Sequence, residues 1–487
     1  MKIKVLVVLC LFGSLFISFK ETRKEPGKET QRPNILFCIA DDWGWPHAGA
    51  YGDSSVKTPA FDRLAREGVL FERAFVSSPS CTPSRNAILT GQDFWRLKEG
   101  ANLWSTLDVN IPVYPLLLEK AGYFTGSWRK SWGPGNLVPG GYVNHKPAGK
   151  EYKKGFEAFL EEKPADQPFC FWLGASDPHR GYEKGSGAAS GINVKAVKVP
   201  GFYPDEEEIR SDLADYYFEV QRFDADIAAA LKLLERKGEL DNTIIIVTGD
   251  HGMPFPRCKA NLYDMGTRVP LVIRWGNNLK KGARLNDFVS FTDMAPTFLE
   301  LAGVPVPREM TGRSLKPLLL RNQNEKYNTR DFIVFGRERH TPAQAKPSND
   351  GYPARAIRTD DFLYIHNLLP QRWPVGVPEG ATHPSDHFAD ADDGPTKSFL
   401  IDHKNSYRKY YDLSFGPRPE EELYDVKNDP FQLVNLAGQQ KYQSVKKTLS
   451  AELRKYLENT KDPRVTSSDV DFDKFKYWGP ARKKEAH

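Results

Sequence analysis

The amino-acid sequence predicts an α/β protein with a large mixed sheet flanked by helices and a smaller C-terminal domain. Three short apolar runs, at 34–40, 169–174 and 243–248, are typical of strands that are buried on both faces. Between Tyr216 and Arg236, apolar residues recur at the spacing of an α-helix. Strands that alternate with helices indicate a sheet whose functional residues lie beyond the strand ends.

The length and composition predict two domains. The chain has 487 residues, of which 40% are hydrophobic, and this is enough to bury a large core. We expect the main domain at residues 31–350. A second domain at residues 351–487 is indicated by short strands at 362–365 and 422–426 and by a final helix near 445–457.

The N-terminal residues predict a secretory signal at residues 1–22. A basic start is followed by the apolar run from Val5 to Phe19, which is too short to span a bilayer comfortably. Ser18 and Phe19 match the small residues of a cleavage site poorly. An uncleaved signal that anchors the chain in a membrane is therefore an open alternative.

The cysteines and the glycosylation pattern indicate the compartment. Beyond the predicted signal the sequence contains Cys38, Cys81, Cys170 and Cys258, without the close spacing of a metal site, and we expect no disulfide framework. The chain has no Asn-x-Ser/Thr site, which for a secreted protein favours a bacterial source. The sequence thus predicts a secreted or periplasmic bacterial protein.

The charge pattern argues against nucleic acid as a partner. The net charge is +5, from 68 basic and 63 acidic residues without a long basic block. A mild preference for anionic ligands is all that this balance supports.

Two pairs of potential metal ligands follow two of the predicted strands. Asp41 and Asp42 come directly after the first run, and Asp250 and His251 follow the third. Hard oxygen ligands in this number favour calcium over a transition metal, although a histidine ligand is unusual for calcium. For either pair alone, the alternative is that strand-end acids merely cap loops and helices.

Cys81 lies next to the predicted start of a helix. Thr82 is a good N-cap and Pro83 suits the first helical position, so Cys81 should lie just outside the helix. Backbone N–H groups and the helix dipole favour an anion there, and Arg85 lies one turn inside. Taken alone, such a cysteine is more often buried and inert.

The segment Ser80–Gly91 changes that interpretation. It resembles the signature of the type I sulfatases of the alkaline phosphatase superfamily, in which a Cys or Ser followed by x-Pro-x-Arg and later by Leu-Thr-Gly is oxidised to formylglycine. Motifs in the same order and spacing extend this resemblance along most of the chain: Pro33–Leu36, Thr58-Pro59, Asp241–Thr243, Gly249–Gly252, Leu262-Tyr263, Gly266–Pro270, Gly312–Leu315 and Glu422–Asp425. The resemblance implies a sulfatase fold and a sulfuric ester hydrolase.

The resemblance also implies how the nucleophile acts. Cys81, oxidised by a separate maturing enzyme and hydrated, would attack sulfur through one gem-diol oxygen. The second hydroxyl would later expel sulfate and restore the aldehyde. One calcium ion would orient the sulfate and withdraw charge from it. Its ligands would be Asp41, Asp42, Asp250, His251 and the modified residue 81.

Four further residues match positions with family roles. Arg85 would stabilise the hydrate, and Lys130 would contact both nucleophile and sulfate. His179 would protonate the leaving sugar oxygen, and Lys259 would grip the sulfate. From residue type alone, the lysines would instead be solvated surface charges and the histidine a loop residue.

One position departs from the family pattern. The family usually has Gly-Lys-x-His where this chain has Arg129-Lys130-Ser131-Trp132. A histidine that helps the hydrate is therefore a tryptophan. Either another group assists the step that restores the aldehyde, or Trp132 stacks on a sugar while that step runs with less help. His47 is a conceivable substitute, although a loop histidine is the simpler interpretation.

The sequence says less about the substrate than about the nucleophile and the metal ligands. The segments Asp177–Arg180 and Asn261–Tyr263 look most like the heparan N-sulfatase branch and bacterial relatives that act on sulfated polysaccharides. The resemblance implies an algal polysaccharide or glycosaminoglycan as substrate and makes Arg180 and Trp132 candidate contacts. It does not choose between an N-sulfate and an O-sulfate.

The second domain is expected to contribute to substrate binding. His340, Arg372 and Trp373 combine cations with an aromatic face and are candidate substrate contacts; the alternative is a surface loop with an incidental tryptophan. The acidic run that contains Asp390, Asp392 and Asp393 lacks a full calcium-loop pattern and predicts a solvated turn.

Two other functions fit parts of the pattern. A phosphodiesterase or phosphonate hydrolase of the same superfamily would use the same nucleophile on another tetrahedral oxyanion. A catalytically silent protein that binds sulfated glycans would account for the histidine lost at Trp132.

Overall fold

The computed structural model describes residues 32–320, 330–345, 348–380, 387–469 and 472–480. The predicted signal segment lies outside these ranges.

A mixed sheet of eight strands forms the centre of the main domain. Its strands are β1 (Asn34–Ala40), β2 (Val69–Phe75), β3 (Phe124–Arg129), β4 (Lys150–Glu151), β5 (Phe169–Gly174), β6 (Thr243–Gly249), β7 (Arg268–Arg274) and β8 (Ala283–Ser290). They lie in the order β4-β3-β5-β1-β6-β7-β2-β8. The first five in this order pair in parallel, and β7 runs antiparallel to both of its neighbours.

The apolar runs form strands because both of their faces are covered. In β1, Leu36 and Cys38 contribute to the hydrophobic core on one side of the sheet, and Ile35 and Phe37 to the core on the other side. All residues of β1 are buried. A strand of this kind has no solvent-facing side and therefore no alternating pattern.

The strand register aligns the carboxyl ends of the central strands along one edge of the sheet. Ala40 of β1 pairs with Gly249 of β6, and Ile39 pairs with Gly174 of β5. Arg129 of β3 pairs with the same glycine. The segments that follow these four strands therefore leave the sheet along a single edge.

Helices cover both faces of the large sheet. The described residues form α1 (Pro59–Glu67), α2 (Cys81–Thr90), α3 (Tyr114–Lys120), α4 (Phe156–Glu162), α5 (Ser186–Ala189), α6 (Glu207–Lys237), α7 (Asp264–Thr267), α8 (Met294–Leu301), α9 (Lys316–Leu320), α10 (Pro395–Asp402), α11 (Arg408–Phe415), α12 (Gln443–Asn459) and α13 (Pro463–Thr466). α1, α4 and α6 pack on one face, and α3, α8 and α9 on the other. The helix predicted between Tyr216 and Arg236 is confirmed as part of the longer α6.

A second sheet of four antiparallel strands packs beside the main domain. Its strands are β9 (Phe332–Arg337), β10 (Ala354–Thr359), β11 (Phe362–Asn367) and β12 (Glu421–Asp425), in the order β12-β11-β10-β9. α12 covers one face. On the other face Phe335 stacks on Phe75 of β2, with 5.9 Å between ring centroids.

The predicted fold class is confirmed by these two sheets and their helices. The first strand of the small sheet precedes residue 350, and the division of the chain at that residue stays a prediction. Over the stretches that the structure describes, none of the helices combines the length and apolar character that crossing a bilayer requires.

A buried cluster of charges ties the small sheet to the C-terminal helices. Arg355 of β10 donates from Nε to Asp462 at 2.6 Å and from Nη2 to Glu338 at 2.7 Å. All three side chains are fully buried. Removing one partner of such a cluster leaves uncompensated charge in a medium of low dielectric constant.

We expect Arg355→Met to lower the free energy of unfolding by about 3–5 kcal/mol, because buried Asp462 loses its charged partner and Glu338 keeps only Arg464. Urea unfolding of wild type and variant measures the change. The matched control is Arg454→Met, whose partner Glu458 is exposed and where we expect a loss of at most about 1 kcal/mol. Equal effects of the two variants would contradict the prediction.

Candidate active site

The helix α2 presents Cys81 at the carboxyl edge of the large sheet. It begins at Cys81 with Ser80 as N-cap, so the prediction that Cys81 lies just outside the helix is wrong by one position. Every residue of α2 is buried despite its polar sequence. A helix that is polar all round needs partners for its side chains when it is buried, and the site supplies them.

Arg85 connects α2 to three strand ends. Its Nε donates to Asp250 at 2.8 Å, its Nη1 to the carbonyl of Lys130 at 2.6 Å, and its Nη2 lies 3.3 Å from Asp41. The side chain is fully buried. Arg85 therefore holds α2 against the ends of β1, β3 and β6.

The two predicted pairs of metal ligands converge on Cys81. The ligand atoms of Asp42, Cys81 and His251 lie within 4.8 Å of one another, and so do those of Asp41, Cys81 and Asp250. The sequence prediction that both pairs lie at one edge agrees with this geometry. Capping of loops and helices alone would not bring all four side chains to the same cysteine.

His251 presents a lone pair to this cluster. Its Nδ1 lies 3.1 Å from the carbonyl of Gly252, which can only accept, so Nδ1 carries the proton in the neutral ring. Nε2 then faces Cys81 Sγ at 3.3 Å and Asp42 Oδ1 at 3.1 Å. Two lone pairs that face each other in a buried site favour a cation beside them.

The donor set fits a hard cation. Asp42 Oδ1 is buried and has no hydrogen-bond donor among the residues described. Three carboxylates and one imidazole supply oxygen-rich coordination, which suits calcium better than a thiophilic metal. The main chain supports the arrangement, because the N–H of Asp42 donates to Asp250 at 2.9 Å.

Lys130 and Lys259 lie on the two sides of the cluster. Lys130 Nζ donates to Asp41 at 2.6 Å, and Lys259 Nζ donates to Asp42 at 2.8 Å. Lys259 is 4% exposed, so the surface-charge interpretation of its residue type is wrong. Burial opposes ionisation of Asp41, yet the Lys130 and Arg85 charges outweigh it and hold the pKa of that carboxyl well below its usual range.

His179 reaches the cluster from the segment after β5. Its Nδ1 lies 2.6 Å from the carbonyl of Arg180, so Nδ1 donates and Nε2 points the other way. Nε2 is 3.9 Å from Asp42, and the side chain is 37% exposed. Solvent can therefore reach the ring, and the role of His179 as a proton donor stays a prediction.

Arg180 is held by other protein groups. Its guanidinium forms two hydrogen bonds of 2.8 Å with Asp212 and a third with the carbonyl of Pro254. Asp212 also accepts from the N–H and hydroxyl of Thr396. These contacts favour a positioning role for Arg180 over the predicted substrate contact, which stays a prediction.

An aspartate that the sequence assigns to a solvated turn lies in the site. Asp392 accepts from Lys259 Nζ at 2.8 Å, and Asp390 accepts from Arg337 at 2.7 Å and from the N–H of Thr341 at 2.8 Å. The prediction of a solvated turn is therefore wrong for these two aspartates. No local pattern relates them to partners so distant in the chain.

His340 is buried beside the start of α2. Its Nδ1 lies 2.8 Å from the hydroxyl of Ser80, and it is 4% exposed. Burial lowers the pKa of His340 to about 3, although Asp390 acts in the opposite direction. His340 is thus a neutral group next to Cys81, and it does not supply the cation that the sequence suggests.

The other candidate contacts have protein partners as well. Trp132 donates from Nε1 to Asn86 at 2.6 Å. Arg372 lies 3.1 Å from Asp473, and Trp373 packs against Phe388 with 6.3 Å between ring centroids. Their roles in substrate binding stay predictions.

His47 and the cysteines are accounted for by the core. His47 lies in the loop after β1, as expected, and is buried with its Nδ1 3.2 Å from the hydroxyl of Tyr216. The four cysteines of the described residues are free and buried, in agreement with the expected absence of a disulfide framework. Burial raises the pKa of the Cys81 thiol, which makes the unmodified cysteine a poor nucleophile.

Buried cations and carboxylates around one helix terminus suit a hydrolase that acts on a tetrahedral oxyanion. The sulfatase family model matches residues 33–304, and the model for the C-terminal part of N-sulphoglucosamine sulphohydrolase matches residues 249–371. The chain belongs to the sulfatase family and is a sulfuric ester hydrolase.

Its relatives at similar length carry sulfatase names. The human N-sulphoglucosamine sulphohydrolase is 30% identical, over 90% of this chain and 92% of the relative. An ulvan-active sulfatase of Formosa agariphila is 30% identical, over 88% of this chain and 80% of the relative.

Solved structures share the fold. An enzyme in complex with its substrate D-glucosamine-2-N,6-O-disulfate has a TM-score of 0.62 at 22% identity, over 90% of this chain and 100% of that one. The phosphonate monoester hydrolase of Agrobacterium radiobacter has a TM-score of 0.61 at 18% identity, over 88% and 96%. At these identities the likeness extends to the fold alone.

We expect acid to destabilise the native state through His340. The folded pKa of about 3 lies below the unfolded value near 6.5, so the stability present above pH 6.5 is lost as the pH falls towards 3. His340→Asn keeps the hydrogen bond to Ser80 without titrating. Between pH 7 and pH 5, wild type should lose about 2 kcal/mol more than the variant in urea unfolding. A parallel decline of both would contradict the prediction.

Proposed function

We propose that this protein hydrolyses sulfate esters on a sulfated polysaccharide or oligosaccharide of the algal or glycosaminoglycan type. A formylglycine derived from Cys81 and one calcium ion would take part. The observation that carries the proposal is the position of Cys81, at the head of a buried helix and in contact with His251. The names of the two relatives, an N-sulphoglucosamine sulphohydrolase and an ulvan-active sulfatase, support a sulfated carbohydrate as the substrate class.

The cations around residue 81 account for sulfate binding. Oxidised and hydrated, residue 81 supplies the oxygen nucleophile that a buried thiol does not. Lys130 and Lys259 bind Asp41 and Asp42, whose ligand atoms lie within 4.8 Å of Cys81 Sγ, so their ammonium groups would hold sulfate oxygens beside residue 81. Arg85 lies behind the nucleophile and fixes its helix.

His179 is placed to protonate the leaving group. Its Nδ1–H donates to a backbone carbonyl, so the ring would give a proton from Nε2 to the departing sugar oxygen when both ring nitrogens are protonated. The exposure of the side chain lets solvent restore that proton. A sugar alkoxide is a poor leaving group, so this proton transfer is needed more for a sugar than for a phenol.

Calcium would be held by Asp41, Asp42, Asp250, His251 and modified residue 81, and it would withdraw charge from the bound sulfate. The carboxylates that would bind it are fixed by Arg85 and by the main chain of Asp42. The ligand atoms of these five residues already lie together at this edge of the sheet.

The setting of the protein is part of the proposal. A secreted or periplasmic location in a bacterium agrees with the predicted signal and with the absence of glycosylation sites. A maturing enzyme must reach Cys81 before folding is complete, because the side chain is buried in the folded chain.

We expect Cys81→Ala to abolish sulfate release, because no oxygen nucleophile can form at residue 81. Protein matured in a sulfatase-competent host is assayed by ion chromatography on a panel of algal and animal sulfated oligosaccharides, with matched phosphate esters. Cys38→Ala, a change at another buried cysteine, is the control and should retain activity. Faster turnover of the phosphate esters would sink the proposal.

Calcium should raise the stability of the folded protein. At a calcium concentration about 100 times the dissociation constant, the gain is about 2.7 kcal/mol, measured as a higher midpoint of thermal unfolding than in EDTA. Asp42→Asn should lose most of this shift, because Asp42 contributes an oxygen without a protein donor. Asp393→Asn is the matched control and should keep it. A wild-type midpoint that does not respond to calcium would count against the metal.

His179→Asn should affect substrates according to their leaving groups. We expect kcat/KM for a sulfated sugar to fall about 100-fold or more, since general acid catalysis is worth about 10²–10⁴. 4-Nitrophenyl sulfate, whose leaving oxygen needs no proton, should be affected far less. Equal losses on both substrates would assign His179 to binding only.

A further inference from the structure

We propose that Asp392 is a specificity-determining residue, which accepts a hydrogen bond from a hydroxyl or amino group on the sugar carbon next to the sulfated carbon. The inference rests on the proposed function, because it takes a sulfated sugar as the substrate. It assigns a role to a segment of the C-terminal region that the nucleophile, the metal ligands and the general acid leave unused.

The two carboxylate oxygens of Asp392 differ in their hydrogen-bond partners. Its Oδ2 accepts from Lys259 Nζ at 2.8 Å. Its Oδ1 has no hydrogen-bond donor among the described residues, and the side chain is 23% exposed. One oxygen is thus bound to Lys259, the lysine proposed to bind the sulfate. The other oxygen can accept a hydrogen bond from a substrate.

The position of Asp392 relative to His179 determines which sugar substituent Asp392 would contact. The ligand atoms of Asp42, His179 and Asp392 lie within 4.8 Å of one another. In the proposed reaction, His179 contacts the oxygen that joins sulfur to the sugar ring. A substituent on the neighbouring ring carbon lies within one hydrogen bond of that oxygen, and Asp392 is the acceptor beside it.

The segment that carries Asp392 is anchored at both ends. On one side Asp390 is held by Arg337 and by Thr341. On the other side Thr396 donates to Asp212, which also pairs with Arg180 next to the general acid. An acceptor fixed in this way needs no reordering when substrate binds.

The charge of Asp392 determines what it accepts. Its Oδ2 accepts a hydrogen bond of 2.8 Å from the ammonium group of Lys259, which is the contact of a carboxylate anion. An anion accepts from hydroxyl and ammonium groups and repels a second sulfate or a carboxylate at the same position. The site therefore selects sugars with a donor, and not an anion, beside the sulfate.

The experiment uses the sulfated oligosaccharide that the full-length wild-type protein hydrolyses fastest in the panel. Analogues replace the hydroxyl or amino group on each neighbouring carbon by hydrogen, with the sulfate and leaving oxygen unchanged. We expect wild type to lose about 10- to 100-fold in kcat/KM on one analogue, as for a hydrogen bond to a charged group. In Asp392→Ala the two substrates should differ by less than about threefold. Asp392→Asn, which keeps the shape without the charge, should discriminate less than wild type.

Two matched variants isolate the effect. Asp393→Ala removes the adjacent acid, which pairs with Lys397 and is 89% exposed, and it should keep the wild-type ratio. Lys130→Ala, whose ammonium group binds Asp41 and not Asp392, should lower kcat/KM equally on both substrates. Wild type without discrimination, or Asp392→Ala with undiminished discrimination, overturns the inference alone. If no member of the panel releases sulfate, both the inference and the proposed function are overturned.

Discussion

The buried guanidinium of Arg85 is the group on which the arrangement of the active site depends. It contacts Asp250, Asp41 and the carbonyl of Lys130, so one side chain of α2 joins three strand ends. A charge in this position is tolerated only when it is paired and hydrogen-bonded. α2, which presents Cys81, therefore cannot move relative to the sheet without leaving buried charges unpaired.

The backbone around the site is strained where functional side chains must converge. Asp42, Arg129 and Ala260 have φ angles of 73°, 56° and 60°, in the left-handed region. This conformation costs a residue other than glycine about 1–2 kcal/mol. Two of the three adjoin Lys130 and Lys259, and the third is itself a candidate ligand. Strain of this kind persists because the surrounding ion pairs over-determine the conformation.

The C-terminal region covers part of the main domain and also contributes a side chain to the active site. The small sheet packs on β2, and the loop before α10 reaches the site through Asp392. The Arg180–Asp212–Thr396 contacts connect this loop with the segment that carries His179. The C-terminal region thus brings Asp392 next to Lys259 and His179 of the main domain.

By itself, the sequence determined the α/β class, the strands β1 and β5 and the motif around Cys81, because these depend on local periodicity and on neighbouring residues. The convergence of Asp41 with Asp250 also followed, since the ends of adjacent parallel strands share an edge. Only the tertiary structure placed Asp392 on Lys259, 133 residues away, and buried His340 in a neutral form. Contacts of this kind are set by how the two sheets pack, and burial then decides the charge; no local pattern encodes either.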